Sequence, residues 1–485
     1  MSVQATDKDP EGASAHLCGT HTEMATDEAS KDVSAGPLDP EAEKKLLWKC
    51  DVNVLPCIAL LYFLAFMDRT NIGNAKIQGM TKDLDMSGTD YSVALFVFFI
   101  PYVLFEVPSN ILIKHIAPST WLSANMALWG IATIGQGLVT NLQGLIACRF
   151  LLGLFEAGFV PDELQWRVSL FFCSAVIAGA FSGLLAFAIA NLDGYRGYSA
   201  WRWIFIIEGI ITFGVAVISK WWIADWPEKA KFLTDDERRL LVARLAQDTG
   251  DANMDTFNKS AKKRIFSDWM IYAGTCAYFG VVVTGYAGSF FIPTILNQMG
   301  YVAAQAQVRT IPIYIVATIL CLCTAALTDR LRHRYAFTLF GIILATIGYV
   351  LLLCQQHVSV GVKYFALFLV VGGGYTTQPV TLAWLANNVS GHYKRSVASA
   401  VQVGFGNIGG IVASNVFFDA EAPLYWTGYG VSLGLLWVCA AACTVLFLGV
   451  MRENAKRERG ERDWRLREPD ADNLGDDHPA WRFTT

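Results

Sequence analysis

Two adjacent residues of opposite charge, Asp68 and Arg69, close an apolar run from Val52 to Ala75, VNVLPCIALLYFLAFMDRTNIGNA. A carboxylate or a guanidinium inside a bilayer-crossing span is costly unless it faces a cavity or a partner. Neighbours on a helix point about 100° apart, so the two cannot share one partner. The pattern predicts one charge facing a central cavity and the other a neighbouring helix. A plainer reading anchors both at the membrane–water interface. A second constellation lies in LQGLIACRFLLGLFEAGFVP, Leu142 to Pro161. Arg149, Gly153 and Glu156 fall on one helical face there, with Arg149 and Glu156 about two turns, or about 10 Å, apart. A carboxyl beside a guanidinium in a dry site can take up and release a proton as its surroundings change. The alternative is a static ion pair joining two helices. Glu106 and Glu208 are weaker candidates, and for each a structural role, packing with Arg202 or with backbone donors, is expected.

The elements that must position these residues follow from composition. The chain has 485 residues, 54% hydrophobic and only 16% charged, where a soluble protein of this size carries about 25% charge. Apolar windows recur near residues 52–73, 91–113, 119–140, 142–161, 168–191, 203–224, 269–297, 308–328, 335–354, 362–386, 396–418 and 428–451. The fold class expected is all-α: a polytopic membrane protein of about twelve transmembrane helices in two six-helix bundles. The expected divisions are a disordered tail over 1–46, bundles over 47–224 and 269–451, a polar central loop over 225–268 and a charged tail over 452–485, also expected to be disordered. In the central loop Thr234-Asp-Asp-Glu237 reads as a capping box ahead of Leu240, Leu241 and Leu245 at helical spacing.

Basic residues sort the loops. Lys44, Lys45, Lys49, Lys114, Arg330, Arg332, Arg334, Lys394, Arg395, Arg452, Lys456 and Arg457 fall on one side, and the alternate loops are poorer. The positive-inside tendency then puts both termini in the cytosol. The sequons at Asn258 and Asn388 would lie there too, out of reach of glycosylation.

Other strings are weaker. Gly404-Phe-Gly406-Asn-Ile-Gly409 matches a dinucleotide-binding pattern, but it sits in an apolar span with no preceding strand, so close helix packing is expected instead. There is no P-loop. The eleven cysteines form no disulfide or metal pattern, and Cys321 and Cys323 point to different helix faces. Gly285, Gly288 and Ser289, and the run Gly372-Gly-Gly374-Tyr375-Thr-Thr-Gln378-Pro379, are expected either to interrupt their spans and line a pocket or only to permit close packing.

Together these residues resemble a known group. Two six-helix halves and Asp329-Arg330-Leu-Arg332-His-Arg334 between spans eight and nine look like the major facilitator superfamily. Four strings narrow it: Leu64 to Ala75, Cys148 to Gly158, Trp201 to Gly209 and Ala383 to His392. They resemble the fungal allantoate permease family of anion:cation symporters, which includes nicotinate, pantothenate, biotin and allantoate carriers. The resemblance covers roughly residues 45 to 460. It implies proton-coupled symport of a small organic anion at the plasma membrane, not enzyme activity. Arg69 would bind the substrate carboxylate, Asp68 and Glu156 would carry protons, and Arg149 would tune them. Asn71, Tyr375, Gln378, Trp384 and Asn387 would complete the substrate site, and Asp329, Arg330 and Arg334 the gating loop. No cofactor or metal is expected, the proton being the coupling ion. The expected partners are the anion and the lipid bilayer, with no nucleic acid and a monomeric chain. A non-transporting nutrient sensor on the same fold, or an inactive splice or gene-model product, stays open as an alternative.

Two departures stand out. The usual Asp-Arg motif of the second-to-third loop is replaced by Lys114-His-Ile-Ala-Pro118-Ser119, as in this subfamily. The fourth span runs from Pro161 straight into Asp162-Glu163-Leu-Gln-Trp-Arg167, so the continuation expected in the family is missing. A truncated fourth helix predicts weak or absent transport by the chain as written.

Overall fold

The computed structural model describes residues 40–113, 116–157, 168–225, 230, 232–241, 259–331, 333–468 and 473–485. The described residues fall into two compact units, one within Met1–Asn53 and Trp226–Gly250, the other within Val54–Asp225 and Asp251–Thr485.

In the first unit the start of helix α1 (Pro40–Thr70) carries Leu46, which packs with Ala230 and Leu233. The helix begins inside the segment expected as a tail. Pro40 fits a first turn, where no backbone N–H is needed, and Glu41 and Glu43 meet the positive end of the helix dipole. The capping box forms as the sequence predicts. The Thr234 N–H donates to Glu237 Oε2 at 2.9 Å, and the Glu237 N–H donates to Thr234 Oγ1 at 3.3 Å. Glu237 also pairs with Lys49 at 2.6 Å. Leu240 and Leu241 pack on this small core, while Leu245 lies outside the described residues.

The second unit is helical throughout its described residues apart from connections. After α1 come α2 (Asp90–Phe96), α3 (Phe99–Leu112), α4 (Pro118–Leu138), α5 (Leu142–Glu156), α6 (Val168–Ile189) and α7 (Ala200–Trp222). A short α8 (Lys259–Phe266) precedes α9 (Trp269–Gln298), α10 (Ala303–Leu331), α11 (Arg334–Leu353), α12 (Val360–Asn388), α13 (His392–Asn415) and α14 (Trp426–Glu458). Each of the twelve apolar windows coincides with one of these helices or, for the second, with the pair α2 and α3. Among the described residues nine helices are long and apolar enough to cross a membrane. The contested end of the fourth span, 158–167, lies outside the described residues; α5 is described through Glu156.

Small residues set how closely these helices pack, as expected where lipid removes the hydrophobic drive between helices. On α4 and α7, a Cβ at Gly209 would stand 2.7 Å from the Gly130 carbonyl. The glycine-rich string in α13 works the same way, with Tyr278 of α9 pressed against the Gly406 backbone. The seventh and tenth spans are not interrupted. Both α9 and α12 run unbroken through their glycines and through Pro293 and Pro379. The expected breaks are therefore corrected: in α12, Gly373 lets the backbone of α11 approach at Gly341 and Ala345.

The segment after α14 departs from the expected disordered tail. Leu474, Asp476 and Phe483 are buried, and residues 473–485 lie against the ends of the C-terminal helices. The described cysteines are free, and Cys173 of α6 and Cys321 of α10 bring their sulfurs to 3.7 Å across the two halves.

Candidate functional site

Asp68 and Arg69 diverge as their spacing predicts. Asp68 turns into the N-terminal half, where its Oδ2 accepts from Trp129 Nε1 of α4 at 3.2 Å and from Thr212 Oγ1 of α7 at 2.8 Å. Arg69 turns to the seam between the halves. Its Nη2 donates to Glu156 Oε1 of α5 in an ion pair, and its Nη1 donates to the Tyr286 hydroxyl of α9 at 2.5 Å. The Tyr286 hydroxyl in turn donates to Asn407 Oδ1 of α13 at 3.0 Å. Phe98, Tyr102 and Tyr286 present their rings to the guanidinium at 4.9, 5.0 and 5.8 Å. Arg69 and Glu156 are 4% and 3% exposed, so water does little to screen their attraction.

Arg149 and Glu156 share a face of α5 with Gly153, all three buried. The closeness comes from Gly153, where any Cβ would collide with the Phe98 carbonyl of the second span. Glu156 nevertheless pairs with Arg69 and not with its own helix's arginine. Two turns along one helix is too far for a direct bond, whereas α1 crosses α5 at the level of Glu156. Arg149 Nη1 donates to the Arg69 carbonyl at 3.3 Å, and its Nε and Nη2 have no hydrogen-bond partner among the described residues. A buried guanidinium with two free donors is a ready seat for an anion.

Asn71 is buried, but it serves Glu208 of α7 by donating to Oε1, and its own Oδ1 accepts from Asn74 Nδ2 at 2.8 Å. The expected partner Arg202 instead donates to the Gly137 and Val139 carbonyls at 3.1 and 2.5 Å. That expectation is corrected: Arg202 caps the end of α4, and Glu208 is held by the Asn71 amide just beyond α1.

In the C-terminal half, Tyr375 and Ser289 join hydroxyls at 3.0 Å, one turn along α9 from Tyr286. Gln378 is buried beside Gly285. These two residues of the expected substrate set stand close to the Arg69 cluster. Trp384 and Asn387 do not join it. Asn387 is exposed, and Trp384 Nε1 donates to the Thr484 carbonyl at 3.0 Å. Of the gating set, Arg334 stands 3.9 Å from an exposed Asp329, and Arg330 is exposed.

Tyr286 and Asn407 are the residues that the sequence reading missed. Asn407 is an amide among the glycines of an apolar span, and that was the available signal. Tyr286 carries none, because tyrosines are common in such spans. No group of three or more potential metal ligands occurs among the described residues.

Known proteins place this architecture. The profile of the Major Facilitator Superfamily matches residues 58–414. An uncharacterized transporter of Schizosaccharomyces pombe is 34% identical over 427 residues, covering 85% of each chain. The MFS-type transporter cnsO of Penicillium expansum is 32% identical, covering 91% of this chain and 90% of its own. The high-affinity nicotinic acid transporter of Saccharomyces cerevisiae is 29% identical, covering 90% and 84%. Among solved structures, a bacterial homologue of the human lysosomal transporter Spinster, inward-facing and occupied, superposes with a TM-score of 0.60 at 15% identity, over 85% of this chain and 97% of that one. Multi-pass helices, a buried charge cluster at the seam of two six-helix halves and these matches agree that the chain belongs to the Major Facilitator Superfamily of membrane transporters.

Proposed function

We propose that the chain is a proton-coupled symporter of a small organic monoanion, a carboxylate vitamin or ureide such as nicotinate, pantothenate or allantoate. The carrying observation is the buried Arg69–Glu156 pair at the seam, with Tyr286 as its third member. One guanidinium cannot fully serve both Glu156 and an incoming carboxylate. Protonation of Glu156 weakens its hold on Arg69 and frees the planar fork for the substrate, which the fork binds bidentately. Arg149 offers further donors beside it. Proton and anion then enter together, because either one alone would leave a buried charge unbalanced. Asp68, held by Trp129 and Thr212, is the second proton-carrying candidate. Tyr375 and Gln378 would orient the uncharged part of the substrate. Alternating access would rock the two halves about the seam. The reading takes the chain as a plasma-membrane monomer, and the basic loops support both termini being cytosolic.

The test is initial uptake of labelled nicotinate, pantothenate, biotin and allantoate in a transport-deficient host, with and without a protonophore. One substrate should accumulate, slowly given the truncated fourth span, and lose accumulation with the protonophore. Glu156→Gln should retain exchange of bound substrate while proton-driven accumulation is lost. Accumulation unaffected by the protonophore would refute the coupling, and joint loss of exchange and accumulation in Glu156→Gln would make Glu156 structural.

A further inference from the structure

Two asparagines near the ends of two C-terminal helices read the backbone of an extended segment, one residue each. Asn388, the last residue of α12, accepts from the Thr484 N–H at 2.7 Å through Oδ1 and donates to the Thr484 carbonyl at 3.0 Å through Nδ2. Asn454 of α14 does the same one residue earlier. Its Oδ1 accepts from the Phe483 N–H at 3.0 Å, and its Nδ2 donates to the Phe483 carbonyl at 2.9 Å. A side-chain amide carries a donor and an acceptor side by side, so it satisfies both backbone groups of a residue as a neighbouring strand would. Trp384 Nε1 adds a second bond to the Thr484 carbonyl, and the Arg334 N–H takes the Thr485 carbonyl at 2.7 Å.

Side chains add anchors. Phe483 is 5% exposed, and its ring lies 4.3 Å from the Arg457 guanidinium, which also donates to the carbonyls of His478 and Trp481. Lys394 of α13 sits between Asp268, the N-cap of α9, and Asp476, at 2.7 Å from each. Arg264 of α8 holds the Asn473 carbonyl at 3.0 Å.

We propose that the ends of α12 and α14, with Arg334, Arg457 and Lys394, form a peptide-docking groove, and that residues 473–485 of this chain occupy it in cis. The groove recognises an extended backbone through Asn388 and Asn454 and a buried aromatic through Arg457. Occupied, it straps α8, α9, α11, α12, α13 and α14 together at one end of the C-terminal half. It also gives Trp384 and Asn388 a role in holding the chain's own segment, apart from any substrate. None of this depends on which anion is carried.

Amide hydrogen exchange on the full-length protein in nanodiscs tests the groove without any transport assay. The Phe483 and Thr484 amides should be protected in the wild-type chain and exchange at least tenfold faster in Asn388→Ala/Asn454→Ala. Free-peptide exchange rates at these amides in the wild type would overturn the proposal, as would unchanged protection in the double variant. Phe483→Ala should release the segment while leaving the groove intact. A labelled synthetic peptide with the sequence of residues 473–485 should then bind the Phe483→Ala chain saturably and fail to bind the same chain carrying Asn388→Ala and Asn454→Ala. Persistent protection in Phe483→Ala would remove the aromatic anchor. A released segment with no peptide binding would remove the groove.

Discussion

The two six-helix halves place their charge differently. Among the described residues, the buried acidic and basic side chains of the N-terminal half are Asp68, Arg69, Glu106, Arg149, Glu156 and Glu208, all within helices that the sequence marks as apolar. The C-terminal half meets the seam with neutral hydroxyls and amides, Tyr286, Ser289, Tyr375, Gln378 and Asn407. Its buried charges are Lys394 and Arg457 at the helix ends and Asp476 in the segment docked on them. Charge in hydrocarbon is retained where it works. On the proposed function, the difference would give the exchange of charge to one half, and orientation and rigidity to the other.

The largest effects should come from breaking the charged half. Arg69→Ala leaves Glu156 buried without its cation, a loss of roughly 3–5 kcal/mol for a buried pair, and uptake should fall to background while surface expression stays measurable. Arg69→Lys keeps the charge but loses the fork, and should weaken substrate binding strongly. Near-normal uptake in the alanine variant would move the anion seat to Arg149.

Gly153→Ala tests the packing that places Glu156. The added methyl meets the Phe98 carbonyl, and overpacking costs roughly 1–3 kcal/mol. Surface expression and melting temperature should drop, and a fully stable variant would show that α3 and α5 can part freely.

Tyr286→Phe sharpens the comparison from the neutral side. It removes one bond to a charged group, worth roughly 1.5–3 kcal/mol. The apparent KM should rise about tenfold or more, with Asn407→Ala moving it the same way. An unchanged KM would leave the C-terminal half no share in holding Arg69.

The smallest effect concerns the strap. Burial pushes Asp476 up to about 6, against the pull of Lys394, and Asp268 and Asp477 add to the rise. A carboxyl whose docked value lies above its free value binds its proton more tightly when docked. Its ionisation therefore costs docking as pH rises from about 4 to about 6. Exchange protection of residues 483 and 484 should be higher at pH 5 than at pH 7.5, and Asp476→Asn should flatten that dependence.

Much of this was legible in the sequence for physical reasons. Apolar length and basic loops reveal spanning helices because lipid leaves the backbone few options. The divergence of Asp68 and Arg69, the shared face of Arg149 and Glu156 and the capping box at Thr234 follow from helical geometry alone. What escaped were contacts between segments distant in sequence. Nothing local says that Glu156 belongs to Arg69, that Asn71 belongs to Glu208, or that Asn407 reaches Tyr286 from another helix. The docked segment was misjudged because charge-rich composition suggests disorder, whereas here two asparagines and a lysine absorb its polar groups.

Cys173 and Cys321 supply a native gauge of motion. Their sulfurs stand 3.7 Å apart on opposite halves, and a disulfide needs about 2 Å. A rocking cycle that parts α6 from α10 would separate the thiols in one state and reunite them in the next. The rate of oxidative cross-linking would then act as a clock on the cycle, slowing whenever substrate holds the halves apart, with no label introduced anywhere in the chain.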